Sequence, residues 1–330
     1  MSVLTEQGQI VEEIRQADKF LLTTHENPDG DALGSLLGMH WVLEALGKDS
    51  LMYMSPDEFP LPWEYRDWTF DRLVGAPPED LDDRTVVFLD CGNIDRMPVD
   101  FLQRDGVHIL NIDHHHDNTR FGTVNMVVPD ASCTAEIVWR LAKDLGADLS
   151  APIADALYVG LVTDTGKFMY ENTSADAHRM AAELIEIGVE PHRVYRRLYE
   201  DLPFNRLLLL QRALASVERH DGGVVTVTHL TKRDFEETQA VETDSEGIVD
   251  HIRAVEGTLV AILVRELLAD ERQGKRKVSL RATDGTVDVS RIARAMGGGG
   301  HRQAAGLTTT LPYPELVDEL RKMVGEQLHQ

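Results

Sequence analysis

The sequence predicts an α/β protein: a parallel-sheet N-terminal domain over 1–190, a helical linker over 191–222 and a smaller α/β C-terminal domain over 223–330. Three observations predict it. Short apolar runs alternate with helical patterns through the first half, the alternation that builds a parallel sheet flanked by helices. A basic, Leu-rich stretch over 191–219 then runs on without a strand pattern. After Gly222-Gly223 the alternation restarts. At 330 residues the chain is long enough for each domain to bury a core.

In chain order, 19–24 reads as a strand, 32–46 as a helix, and 51–54, 85–89 and 107–112 as further strands, each an apolar run. The segments 133–145, 152–162 and 175–187 read as helices. In the second domain 224–228 is a strand, 246–255 a helix, 259–264 and 277–282 strands, and 289–295 a helix.

Four polar segments stand at the ends of these apolar runs: LLTTHENPDGDALGS, VVFLDCGN, LNIDHHHDN and GLVTDTGKF. His25, Asp29 and Asp31 leave the first strand through the turn Asn27-Pro28-Asp29-Gly30, whose Pro and Asp-Gly pair favour a sharp bend. Asp90 and Asp113 close strands, Asp113 just before His114, His115 and His116, and Asp164 follows the apolar run 156–162. Taken alone, NPDGD is explained as a turn and helix N-cap. Taken together, the four read as ligands gathered from separate strand ends onto metal, because buried carboxylates are costly without a partner. Carboxylates with a few imidazoles suit Mn²⁺, Mg²⁺ or Zn²⁺, and there are enough for two ions sharing one carboxylate.

A second feature is the run Gly297 to Gly300, followed by His301 and Arg302. Its bare backbone N–H groups suit a phosphate cradle. Arg265 and Arg281 each end a strand-like segment, and an arginine can fork onto phosphate.

These segments resemble the motifs of the DHH phosphoesterase superfamily: HENPDGDALGS, Asp90-Cys91-Gly92, Asp113-His114-His115 and Thr163-Asp164-Thr165-Gly166, with GGGGHRQAAG resembling the glycine-rich motif of the DHH-associated C-terminal domain. Within it, the chain is most similar to the nano-RNases, the NrnA-type oligoribonucleases that are also pAp phosphatases. The resemblance implies an active site in the cleft between the domains, with two divalent ions, Mn²⁺ ahead of Mg²⁺. It implies that His25, Asp29 and Asp90 hold one ion, and that Asp31, Asp90, His114 and Asp164 hold the other. Asp113 would orient the histidines, and His115 would face the scissile phosphate. Gly298, Gly299, Gly300, His301, Arg265 and Arg281 would bind substrate. The implied substrates are single-stranded RNA of two to five nucleotides, pApA and pAp, with cyclic di-AMP as a further one; a homodimer is compatible with it. The alternatives are a RecJ-type DNA exonuclease, a pyrophosphatase or exopolyphosphatase, and a nucleotide sensor without catalysis.

Composition narrows these. Lys and Arg total 33 against 56 Asp and Glu, a net charge of −23, which repels long nucleic acid. Cys91 and Cys133 give no disulfide framework, so a reducing, cytoplasmic setting is expected. No apolar run approaches the ~18 residues that span a bilayer, so no membrane partner is expected.

Overall fold

A computed structural model describes residues 5–66, 68–104, 106–200, 202–269, 272–300 and 302–329. The chain divides into two compact units, 1–200 and 201–330. Among the described residues no helix is long and apolar enough to cross a membrane.

The first unit is built on six strands: β1 (Lys19–Thr23), β2 (Asp49–Tyr53), β3 (Leu73–Val74), β4 (Thr85–Leu89), β5 (Ile109–Asp113) and β6 (Val124–Val127). They lie in the order β3-β2-β1-β4-β5-β6, and every pair is parallel. Phe20, Leu22, Val87, Leu89, Leu110 and Ile112 enter one core, while Leu21, Val86, Phe88 and Ile109 enter another. Burial on both faces is why these strands read as continuous apolar runs. The strand order reverses at β1, which opens a crevice at the carboxyl ends of β1 and β4, the usual ligand position in open α/β sheets.

The helices of this unit are α1 (Glu6–Gln16), α2 (Gly30–Ala45), α3 (Asp100–Gln103), α4 (Thr134–Leu145), α5 (Ala151–Asp164), α6 (Ala175–Ile187) and α7 (Pro191–Tyr199). Helices α2 and α5 run antiparallel in close contact. A Cβ on Gly34 would lie 2.4 Å from the Ala156 carbonyl, and one on Gly38 would lie 2.5 Å from Leu157 Cδ2. This contact sets the last turn of α5 beside the first turn of α2.

The second unit comprises α8 (Phe204–Ala215), β7 (Glu218–His220), β8 (Val225–Leu230), α9 (Lys232–Thr238), α10 (Ile248–Arg253), β9 (Val260–Glu266), β10 (Arg276–Ala282), α11 (Val289–Ala295), β11 (Gly299–Gly300), β12 (Ala304–Thr309) and α12 (Tyr313–Leu328). Its sheet runs β11-β12-β10-β9-β8-β7, with β8 and β9 parallel and the other pairs antiparallel. Ile292, Leu316 and Leu320 pack on Ile262, Val264, Val278 and Leu280; Leu209, Phe235 and Ile252 pack on Ala261 and Leu263 from the other face.

The stretch read as one linker, 191–222, contains two helices, and each belongs to a different unit. Pro203, which caps α8, separates them, because a proline disfavours helical backbone in the residue before it.

Candidate metal centre

The turn after β1 positions the first group. Nδ1 of buried His25 lies 2.8 Å from the Glu26 carbonyl, which can only accept, so the ring proton sits there. Nε2 is left with its lone pair, 3.6 Å from Asp90 Oδ2. Asp29 Oδ1 caps α2, accepting from the Asp31 and Ala32 amides at 3.1 Å each. Asp29 is thus an N-cap and a ligand candidate at once. Gly30 is required for space: a Cβ there would meet Thr163 Oγ1 at 2.4 Å.

The second group is buried deeper. Asp31 accepts from the Thr134 amide at 2.7 Å and the Ala135 amide at 2.9 Å, so the N-terminus of α4 points at its carboxylate. Asp90 follows β4 in the left-handed region, with φ of 57°, a conformation Asp tolerates better than most residues. Its Oδ1 accepts from the Thr134 hydroxyl at 3.0 Å. Asp164 is the last residue of α5, the helix expected over 152–162, so its segment ends a helix where the other apolar runs end strands. A helix C-terminus disfavours a carboxylate, which adds to the need for a cation there. The Asn172 amide donates to Asp164 Oδ2 at 3.1 Å and to the Ser132 carbonyl at 2.8 Å. His114 Nε2 stands 3.9, 3.6 and 3.7 Å from Asp31, Asp90 and Asp164.

Ligand atoms of three sets lie within 4.8 Å of one another: His25, Asp29 and Asp90; Asp31, His114 and Asp164; and Asp90, His114 and His115. Asp90 and His114 each belong to two of them.

Behind the cluster, His115 donates through Nδ1 to Asp113 Oδ1 at 2.6 Å, and Asp113 also accepts from the His114 amide at 2.9 Å and the Asn118 amide at 2.6 Å. The other face of the ring meets a residue the motifs do not single out: Arg96 Nη1 is 3.4 Å from His115 Nε2.

The charges show what the site lacks. Burial, then Asp90 and Asp164, raise Asp31 well above the usual carboxylate range. Burial, then Asp29 and Asp90, push Asp164 up to about 7 against the pull of His114. Burial also works to raise Asp90, but His25, His115 and His114 hold it well below its ordinary value. His114 rises to about 10 despite burial, because Asp164, Asp90 and Asp31 surround it. Without cations the cluster must take up protons, so the donor set fits divalent ions, and oxygen with imidazole suits Mn²⁺ or Mg²⁺ better than a thiolate-preferring metal. Cys91 is outside this chemistry. Its thiol donates to the Asn93 carbonyl at 3.1 Å, and burial pushes it up to about 12.

Comparison with known proteins agrees with this geometry. Residues 19–161 match the DHH family, N-terminal domain, and 227–330 match the DHHA1 domain. The Thermus thermophilus bifunctional oligoribonuclease and PAP phosphatase NrnA is 35% identical over 315 residues, covering 93% of this chain and 89% of its own. This chain belongs to the DHH family of phosphoesterases. The Bacillus subtilis bifunctional oligoribonuclease and PAP phosphatase NrnA is 25% identical over 302 residues, covering 90% of this chain and 91% of its own. An exopolyphosphatase-related protein from Bacteroides fragilis shares the fold, with a TM-score of 0.85 at 24% identity, covering 100% of this chain and 98% of that one.

In the DHHA1 domain of this DHH phosphoesterase the glycine run divides. A Cβ on Gly298 would lie 2.1 Å from the Gly306 carbonyl, and one on Gly300 would lie 2.5 Å from the Ala304 carbonyl, so these two pack against β12. Gly297 and Gly299 are exposed with open space around them. Arg281 is half-buried, donating to the Leu280 carbonyl at 3.1 Å. Arg265 is buried, and its Nη1 is 2.6 Å from Glu242, whose other oxygen accepts from the Leu268 amide at 2.7 Å. Its charge is matched within the domain. His301 lies outside the described residues.

Proposed function

We propose that this phosphoesterase removes the 3′-phosphate of pAp to give AMP and hydrolyses very short oligoribonucleotides, pApA among them, to mononucleotides. The observation that carries the reading is Asp90, which lies within ligand distance of both an outer set, His25 and Asp29, and an inner set around His114. The relatives named for both activities match along nearly their whole length. His25, Asp29 and Asp90 would hold one divalent ion, and Asp31, Asp90, His114 and Asp164 the other, with Mn²⁺ ahead of Mg²⁺. When bound, such a pair neutralises phosphate charge and makes water acidic enough to attack.

The chain's own groups do the rest. Asp113 keeps the proton of His115 on Nδ1, which leaves Nε2 to hold or deliver a proton at the departing oxygen. Arg281 and the exposed backbone at Gly297 and Gly299 are the groups of the second unit best suited to grip a nucleotide's phosphate. Arg265, already held by Glu242, suits that role less. Two buried free thiols suit a reducing, cytoplasmic setting.

The test is turnover of pAp, pApA and pyrophosphate with Mn²⁺ and with a chelator. The reading expects phosphate from pAp and AMP from pApA, both lost with the chelator. Turnover of pyrophosphate alone would contradict it.

A further inference from the structure

Arg96 stands at the edge of the carboxylate cluster and yet joins none of it. In this acidic chain other arginines are matched: Arg84 with Asp49 at 2.6 Å, Arg197 with Asp155 at 2.8 Å and Arg265 with Glu242 at 2.6 Å. Among the described residues Arg96 forms no ion pair, and its Nη1 lies 3.4 Å from His115 Nε2. A guanidinium stays charged and presents donors in a fixed fork. Set against His115 and paired with no carboxylate among the described residues, it keeps most of that fork available to an anion.

The backbone holds it there. Asn93 caps the short turn Ile94–Arg96 through the Asp95 amide at 3.2 Å, and the Arg96 carbonyl accepts from the Glu26 amide at 2.7 Å. Met97 is buried behind it. The turn after Asp90 is therefore tied to the turn after His25, and the backbone that carries the guanidinium is anchored to both segments.

We infer that Arg96 is a phosphate-binding residue, which grips the non-bridging oxygens of the substrate's reacting phosphoryl group from the side of His115. This rests on the phosphoesterase reading above and assigns a direct contact within it. The carboxylates would hold the ions that supply the attacking oxygen, and His115 would serve the leaving oxygen. A planar fork meets the remaining oxygens in pairs, which a point charge does not.

The test compares wild type, Arg96→Gln and Arg96→Lys, loaded with Mg²⁺ so that phosphate stays dissolved. Metal content is measured by mass spectrometry, inorganic phosphate affinity by calorimetry, and kcat and KM are measured on pAp. Because the bond to Glu26 is made by backbone, both variants keep it. Arg96→Gln should weaken phosphate binding about 10- to 100-fold, the usual loss for a charge-assisted contact. It should raise KM for pAp with metal content unchanged, and Arg96→Lys should restore part of the loss. Wild-type phosphate affinity in Arg96→Gln would overturn the assignment. So would a fall in metal content, which would make Arg96 a positioning residue for the cluster. Wild type that binds phosphate but leaves pAp intact would count against the proposed substrates, while the affinity comparison would still decide the role of Arg96.

Discussion

His115 is fixed by Asp113: Nδ1 donates to Asp113 Oδ1 at 2.6 Å, while Asn118 donates to the other oxygen at the same distance. The carboxylate serves two donors at once, and an amide cannot. Asp113→Asn would face either His115 or Asn118 with an N–H group and would free the ring to change tautomer. We expect kcat on pAp to fall about 10- to 100-fold, the usual cost of losing such an orienting partner, with little change in KM. Steady-state kinetics with circular dichroism as a folding control checks this.

Asp90 is the common member of the two proposed ion sites. Asp90→Ala should therefore leave fewer than two ions per chain. It should reduce turnover of every substrate by more than the roughly 100-fold that losing an orienting partner costs. Mass spectrometry of the desalted protein, with rates on pAp and pApA, reads both effects. Near-normal turnover would sink the two-ion assignment.

Metal affinity should fall as pH falls. In the metal-free site His114 is raised to about 10 and Asp164 to about 7, while Asp31 is raised well above its ordinary value. Each must be deprotonated to bind a cation. Binding near pH 7 must therefore release protons, more of them at the acid side of Asp164's value than at the alkaline side. Calorimetry in two buffers of different ionisation heat counts them. Binding without proton release would contradict the charge balance described here.

Gly160 links helix packing to the site. A Cβ there would lie 2.7 Å from Ala135 Cβ and 2.9 Å from Asp31 Oδ1. Ala is otherwise the better helix former by about 1 kcal/mol. Here Gly160→Ala should destabilise the fold by about 1–3 kcal/mol through overpacking, and should weaken metal binding by displacing Asp31. Gly325→Ala, in α12 with nothing within 4 Å of the new Cβ, is the internal control and should be neutral or stabilising. Thermal melts with and without Mn²⁺ distinguish the two.

The cluster was legible because its candidate ligands sit where apolar runs stop. Residues 85–89, 175–187 and 289–295 formed the predicted elements with the predicted ends, since buried runs and helical periods are local signals. Elements whose existence depends on partners were not legible. Strand β6 has four residues, only Met126 of them buried, and it forms by pairing with β5. Strand β12 begins Ala304-Ala305-Gly306, poor strand formers that serve because Gly298 and Gly300 pack against them. The helix over 152–162 was legible, but only the fold reveals that its packing on α2 brings Asp164 to Asp31. Arg265 looked like a strand-end cation because its partner Glu242 is distant in sequence. Arg96 had no motif to mark it, and only the approach of the turn to His115 picks it out.

Substrate length tests the central claim most directly. A very short strand needs only the cluster, Arg96 and a few groups of the second unit. A longer one must lay further phosphates over a chain whose net charge is −23, where each unpaired phosphate is repelled. The measurement is initial rate against RNA length, from dinucleotide to strands of twenty or more, at fixed 5′-label in Mn²⁺ and at two ionic strengths. The rate per cut should fall steeply beyond the shortest strands, and higher salt should narrow the gap without reversing it. Equal or faster cutting of the long strands would contradict this account and favour a RecJ-type exonuclease.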